Sequence, residues 1–260
     1  MVTLSLGKSV VTIDKGELVG YKVDGYEYIH QKGSPGWRNA DTEMFPVIGP
    51  TAEAKFKVEV PVGEAIQDQH GLLRELSYDL SSSLETSASF TKKYAANTQV
   101  ENAKYPEKST EQWLSWPYNF EFVKTFLLTP KGLEITFTIS GDIGMPFMLG
   151  YHPAFNLQGK APVIKANSKE ISIPEIKEVG SRAYQLANCT SVTLKDIRVI
   201  EITTEGFGHF MLWTEVDNMV CIEPITFYPY AVAATKLHEG FQYVNEVPQV
   251  FKVYLEPKDI

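Results

Sequence analysis

Cysteine is scarce: 260 residues contain two, Cys189 and Cys221, and neither belongs to a CxxC pair. That count excludes zinc ribbons and disulfide frameworks. A single bridge is arithmetically possible, and two free thiols in a reducing compartment is the plainer reading. Basic charge is also short. Lys and Arg number 24 against 32 Asp and Glu, a formal charge of −8 with no basic cluster, which disfavours nucleic-acid backbones and anionic membrane surfaces as partners. No stretch approaches the ~18 consecutive apolar residues of a membrane span. The opening Met1-Val2-Thr3-Leu4-Ser5-Leu6-Gly7-Lys8 has no basic head before an apolar run, so no secretory leader is read there and a cytoplasmic protein is expected. Glycine-rich phosphate loops, GxSxG elbows and HExxH zinc motifs are missing as well. NTPases, Rossmann dehydrogenases and α/β-hydrolases are therefore not first choices, and what remains is acid–base chemistry by carboxylates and imidazoles.

What the chain does contain is alternation of period two. Val2-Thr3-Leu4-Ser5-Leu6 and Leu133-Glu134-Ile135-Thr136-Phe137-Thr138-Ile139 alternate apolar and polar residues, the mark of half-buried strands. Asp24-Gly25 between Tyr21-Lys22-Val23 and Tyr26-Glu27-Tyr28-Ile29 reads as a tight hairpin turn. Pro130-Lys131-Gly132 reads as a second, between the Phe122–Leu128 run and the strand at Leu133. Further strands are expected over Lys55 to Val60, Leu72 to Leu80, Val192 to Ile202, His209 to Trp213, Met219 to Ile222 and Gln249 to Leu255. The best helix candidate is Ser109 to Trp113, and the polar stretch Ser81 to Ser109 reads as a strand edge plus a long loop. Many short strands between turns indicate an all-β fold of antiparallel sheets, sandwich or barrel, in one domain over residues 1–260.

Three segments draw the chemistry together: Gln69-His70-Gly71-Leu72-Leu73-Arg74, Gly150-Tyr151-His152-Pro153-Ala154-Phe155-Asn156-Leu157 and Val220-Cys221-Ile222-Glu223-Pro224. Glu223 closes an apolar strand, where a carboxylate is rarely found unless partnered. His152 and Glu223 each precede a proline, which pushes them toward extended backbone at a strand end and can hold an imidazole and a carboxylate stiffly at a cleft. An ordinary strand terminus would carry the same feature, and Arg74 pairs equally well with Glu75 or Asp79 on a solvated face. His30, His209 and His238 have no supporting context, and Trp113, Trp116 and Trp213 read as core or rim aromatics.

Taken in order, these segments resemble the aldose 1-epimerase (galactose mutarotase) family, most closely its hexose-phosphate-epimerase-like and lactose-operon-type branch. His70-Gly71-Leu72-Leu73-Arg74 resembles that branch's HGFAR, His152-Pro153-Ala154-Phe155-Asn156-Leu157 its HPxFNL, and Cys221-Ile222-Glu223-Pro224 its CIEP. Glu27-Tyr28-Ile29-His30-Gln31 with Trp37-Arg38, Phe45-Pro46-Val47-Ile48-Gly49, and Trp116-Pro117-Tyr118-Asn119-Phe120 also match in family order. The resemblance implies a galactose-mutarotase-like supersandwich of antiparallel sheets. It implies interconversion of α and β anomers of a hexose or hexose phosphate, with no cofactor and no metal. Glu223 is then the general base, His152 the general acid and His70 the partner of the ring oxygen, with Arg74 and Gln69 binding substrate. Glu223 is expected ionised and His152 protonated, on opposite sides of the hemiacetal, each favouring the other's charge. Pro50 stands where the family carries a sugar-binding arginine, so that contact is missing or comes from Arg38 or a lysine, and Arg74 with Arg38 or Lys92 and Lys93 is a possible phosphate site. The family's sugar-binding aspartate has no clear counterpart; Asp196 lies in the region without matching context. The departures leave open a carbohydrate-binding protein without turnover, or an interaction protein in which the motifs only stabilise strands.

Overall fold

The computed structural model describes residues 1–258. Its largest sheet has nine strands, in the spatial order Lys169–Ser172, Val163–Ala166, Ser191–Lys195, Val199–Glu205, Gln249–Lys258, Leu133–Gly141, Phe120–Leu128, Ser87–Tyr94 and Asp79–Ser83. Facing it is a sheet of six that includes Tyr184–Leu186, His209–Trp213, Met219–Ile225, Gly150–Tyr151 and Glu43–Met44, with Ala154–Asn156 also paired to Met219–Ile225. Val2–Leu6, Ser9–Asp14, Glu17–Val23 and Tyr26–Glu27 form a separate four-stranded sheet. These pairings are antiparallel, as the alternation predicts. Both hairpins form: Val23 pairs with Tyr26 across Asp24 and Gly25, which take φ of 49° and 80°, and Leu128 pairs with Leu133.

Alternation decides what each strand gives the core. In Phe120–Leu128, residues 120, 122, 124, 126 and 128 are buried and their neighbours face outward. Phe120 and Phe122 pack against Phe45, Phe137 against Tyr151, and Phe147 against Phe251, so aromatic contacts fill the space between the two large sheets. No described helix is long and apolar enough to cross a membrane. Cys189 and Cys221 are buried, free thiols.

Several expectations are corrected. Ser109 to Trp113 is not helical; Trp113–Leu114 pairs as a strand with Val100–Glu101. The α-helix among the described residues is Ile173–Val179, started by a capping box in which the Ser172 hydroxyl accepts from Glu175 N–H and the Glu175 carboxylate accepts from Ser172 N–H. Ser172-Ile173-Pro174-Glu175 carries that signal in the sequence. Leu72 to Leu80 is not one strand: Leu73–Glu75 is a 3-10 turn and the strand begins at Asp79. The cause is Gly71, at φ +70°, where a Cβ would lie 2.1 Å from the Phe45 carbonyl oxygen. The chain turns back there and cannot run on extended. Val192 to Ile202 splits into two strands around Asp196, whose carboxylate accepts from Gln158 and Gly159 N–H at 2.7 Å each. Asp196 thus ties down a loop. Within Ser81 to Ser109 the strand Ser87–Tyr94 is interior to the large sheet, and Lys92 points inward.

Candidate active site

Register brings the two reacting groups together. Gly150 pairs with Ile225 and Ala154 with Cys221, both on the strand Met219–Ile225. His152 lies midway between the two pairings and therefore opposite Glu223. Pro153 and Pro224 lack the N–H groups that would close the ladder there. His152 N–H instead donates to Thr42 O at 2.7 Å. Its Nε2 lies 3.4 Å from Glu223 Oε1. On the same strand the side chains of Met219 and Cys221 pack with Ala154 under Trp37, Trp213 and Val216.

The Trp37 ring stacks on the imidazole of His152 with centroids 4.5 Å apart and planes at 23°. His70 meets His152 edge-on at 5.8 Å, and Trp213 does so at 6.2 Å. The His70 loop is clamped by the Phe45–Gly49 segment: Phe45 N–H donates to His70 O, Gly49 N–H to Gln69 O and Leu73 N–H to Phe45 O. Exposed Gln69 donates its amide N–H to His70 Nε2 at 3.3 Å. Arg74, on the 3-10 turn, donates from Nη2 to Thr42 Oγ1 at 3.0 Å. All five expected residues, Gln69, His70, Arg74, His152 and Glu223, thus converge on the segment around Thr42 or on each other.

The other candidates lie elsewhere. His238 faces Glu59 at 3.4 Å, and His209 Nδ1 accepts from Asn188 N–H. His30 is buried and donates to Trp37 O at 3.3 Å, so it supports the stacking residue from behind. Lys92 is buried in the sandwich, and Lys93 pairs with Glu121 at 2.9 Å, so neither replaces the arginine lost at Pro50. Arg38 is exposed. The cation that does approach is Lys104, which pairs with Asp68 at 2.5 Å and whose charge reaches His70 and Arg74. It sits in a polar loop with no motif to mark it. Thr42 carries no local pattern, and Trp37, although part of a matching segment, has nothing in that segment to show that its indole covers His152.

The electrostatics run opposite to expectation. Burial pushes the Glu223 carboxyl up to about 8, with the Arg74 charge pulling it back. Burial, then Arg74, pushes His152 down to about 3, and His70 is held well below the ordinary imidazole value, chiefly by burial. At neutral pH the pair is therefore a carboxylic acid beside a neutral imidazole, because burial disfavours the charged form of each. That neutral pair and the charged pair hold the same number of protons, one between them. The two groups also stand side by side and not on opposite sides of a sugar ring. The geometry suits the chemistry all the same, because the hydroxyl and ring oxygens of a hemiacetal are bonded to one carbon.

His152, Cys221 and Glu223 each offer one donor atom, and these atoms lie within 4.8 Å of one another. Burial holds the Cys221 thiol well above its ordinary range. A cation there would have to displace protons from both the thiol and the carboxyl.

A family model described as aldose 1-epimerase matches residues 45–243. No curated protein matches the chain. Among solved structures, a galactose mutarotase-like protein from Lactobacillus casei superposes with a TM-score of 0.81 at 20% identity, covering 99% of this chain and 100% of that one. The galactose mutarotase related enzyme from Lactobacillus acidophilus gives 0.74 at 18% identity, covering 99% of each chain. A galactose mutarotase-like protein from Clostridium acetobutylicum gives 0.70 at 13%, covering 99% and 95%. The expected supersandwich of antiparallel sheets is the fold of these proteins.

Proposed function

Given that the chain belongs to the aldose 1-epimerase family, we propose that it is an isomerase interconverting the α and β anomers of a hexose or hexose phosphate. The observation that supports this most directly is His152 Nε2 at 3.4 Å from Glu223 Oε1, opposite in register and ringed by His70, Trp37 and Trp213.

Anomerisation needs a proton taken from the C1 hydroxyl and one given to the ring oxygen. The C1–ring oxygen bond breaks, an open-chain aldehyde forms, C1–C2 rotates, and the ring closes on the other face. A pair that holds one proton performs both transfers without net uptake. Glu223 serves as base and His152 as acid once that proton passes from carboxyl to imidazole. Arg74 acts on both partners, stabilising the carboxylate and opposing the imidazolium. In the reverse closure the two exchange roles. His70 is neutral and accepts from Gln69 at Nε2, so its proton sits on Nδ1, which is buried without a protein partner. Arg74, anchored on Thr42, supplies a fixed fork for hydroxyl or phosphate oxygens.

The test is two-dimensional NMR exchange between the anomers of glucose, galactose and glucose 6-phosphate. Wild-type protein is expected to raise the exchange rate above buffer for at least one of them, and Glu223→Gln to lose about 10²–10⁴-fold of that gain. Full activity in the variant rules out this mechanism. Sugar binding without turnover is the second reading, and Pro50, which offers no hydrogen-bond donor at the family's arginine position, favours it. Calorimetric sugar binding with no exchange on any aldose would establish it.

A further inference from the structure

Near the His152–Glu223 pair, four charged side chains are buried between the two large sheets: Asp41, Glu43, Lys92 and Lys124. Lys124 Nζ lies 2.7 Å from Asp41 Oδ2 and 2.7 Å from Glu43 Oε1. Lys124 occupies an inward position of Phe120–Leu128, among phenylalanines, and Lys92 an inward position of the neighbouring Ser87–Tyr94. Asp41 and Glu43 come from the opposite sheet and the segment leading into it. The quartet therefore ties the two sheets together with two charges of each sign. Its stability value is doubtful on general grounds, since a buried ion pair is often replaced by apolar groups without loss.

The contacts made around it lead to the segments that carry Arg74 and His152. Asp41 also accepts from Leu18 N–H at 2.8 Å and from the Tyr151 hydroxyl at 2.6 Å, and Tyr151 precedes His152. Thr42 lies between the two acidic residues. Extended backbone turns its side chain away from theirs, toward Arg74, while its carbonyl accepts from His152 N–H. Lys92 donates to Leu73 O at 2.8 Å, in the 3-10 turn that carries Arg74. The two acids thus flank Thr42, Lys124 holds both acids, and Lys92 bonds the turn that carries Arg74.

We propose that Lys124, assisted by Lys92, is a positioning residue: its paired contacts to Asp41 and Glu43 lock the 41–43 segment so that Thr42 holds Arg74 and the His152 backbone in one alignment. The proposal rests on the isomerase reading for its kinetic readout only. Lys124→Met alone would leave two buried carboxylates without their cation, so the variant to make is the neutral triple Asp41→Asn, Glu43→Gln, Lys124→Met. It is expected to fold with a thermal midpoint near wild type, to lose about tenfold or more in kcat, and to shift the imidazole ¹⁵N resonances of His152. Lys92→Met, which frees the Leu73 carbonyl and removes a charge facing Glu43 and the Tyr78 ring, is expected to raise KM more than it lowers kcat. A folded triple variant with wild-type kcat, KM and His152 resonances overturns the proposal. Should that variant not fold, unchanged kinetics in Lys92→Met overturns it instead. If wild-type protein turns over no sugar, the isomerase reading falls, and the His152 resonances alone decide the positioning role.

Discussion

His152 and Glu223 are register partners across a ladder interrupted at that one step: the pairs on either side of them, Gly150 with Ile225 and Ala154 with Cys221, are made. Imidazole and carboxyl are left to face each other at 3.4 Å, with a proline following each. Neutrality of the pair at pH 7 has consequences that can be measured.

The stability of the folded chain carries the signature of Glu223. Its carboxyl is raised from 4.5 to about 8, so the folded state holds a proton that the unfolded state releases. Stability from this group is full below pH 4.5 and is lost as pH rises through about 8. Glu223→Gln removes the titration. Thermal midpoints of the variant relative to wild type should therefore climb across that window, and a constant difference from pH 4.5 to beyond about 8 would refute the raised carboxyl.

Catalysis requires one proton on the pair. Activity of the free enzyme, read as kcat/KM, should fall as pH rises through about 8, where Glu223 loses its proton, and as pH falls through about 3, where His152 gains one. Arg74 depresses both groups, so Arg74→Met should move both limbs upward as well as weaken substrate binding. Limbs near ordinary carboxylate and imidazole values would show that the pair is not desolvated as described.

Trp37 covers the imidazole of His152 at 4.5 Å. Trp37→Ala admits water and should raise the His152 pKa toward its ordinary 6.5. NMR titration of the imidazole Cε1–H in the variant measures this. A pKa that stays near about 3 would mean that the indole is not what keeps water from the ring.

Gly71 is held at φ +70° with no room for a Cβ beside the Phe45 carbonyl. Gly71→Ala should destabilise the protein by about 1–3 kcal/mol or more and misplace His70 and Arg74 together. Urea unfolding and the anomer exchange rate read the two effects. A variant as stable and active as wild type would show that the turn relaxes freely.

Much of the architecture was legible in the chain because strand alternation is a local property. Each of Phe120–Leu128 and Leu133–Gly141 shows its buried face residue by residue, and Asp24-Gly25 dictates its own turn. Failures came where a distant contact overrode the local pattern. Leu72 to Leu80 has strand-like residues, but the Phe45 carbonyl packs against Gly71 and bends the chain. Lys124 falls inside an expected strand and Lys92 in a stretch read as strand edge plus loop, yet alternation places both inward, where Asp41 and Glu43 from the other sheet make their charge tolerable. Asp24-Gly25 and Ser172-x-x-Glu175 are both short-range signals, and the second went unread beside a stronger all-β pattern.

From the residues alone follow the strands, the hairpins and the identities of the groups able to move protons. Which of those groups meet, and in what protonation state, is fixed by the fold. Register between segments some seventy residues apart sets His152 against Glu223, and the depth of burial there, a property of no single segment, keeps neutral a carboxyl that would be ionised in water.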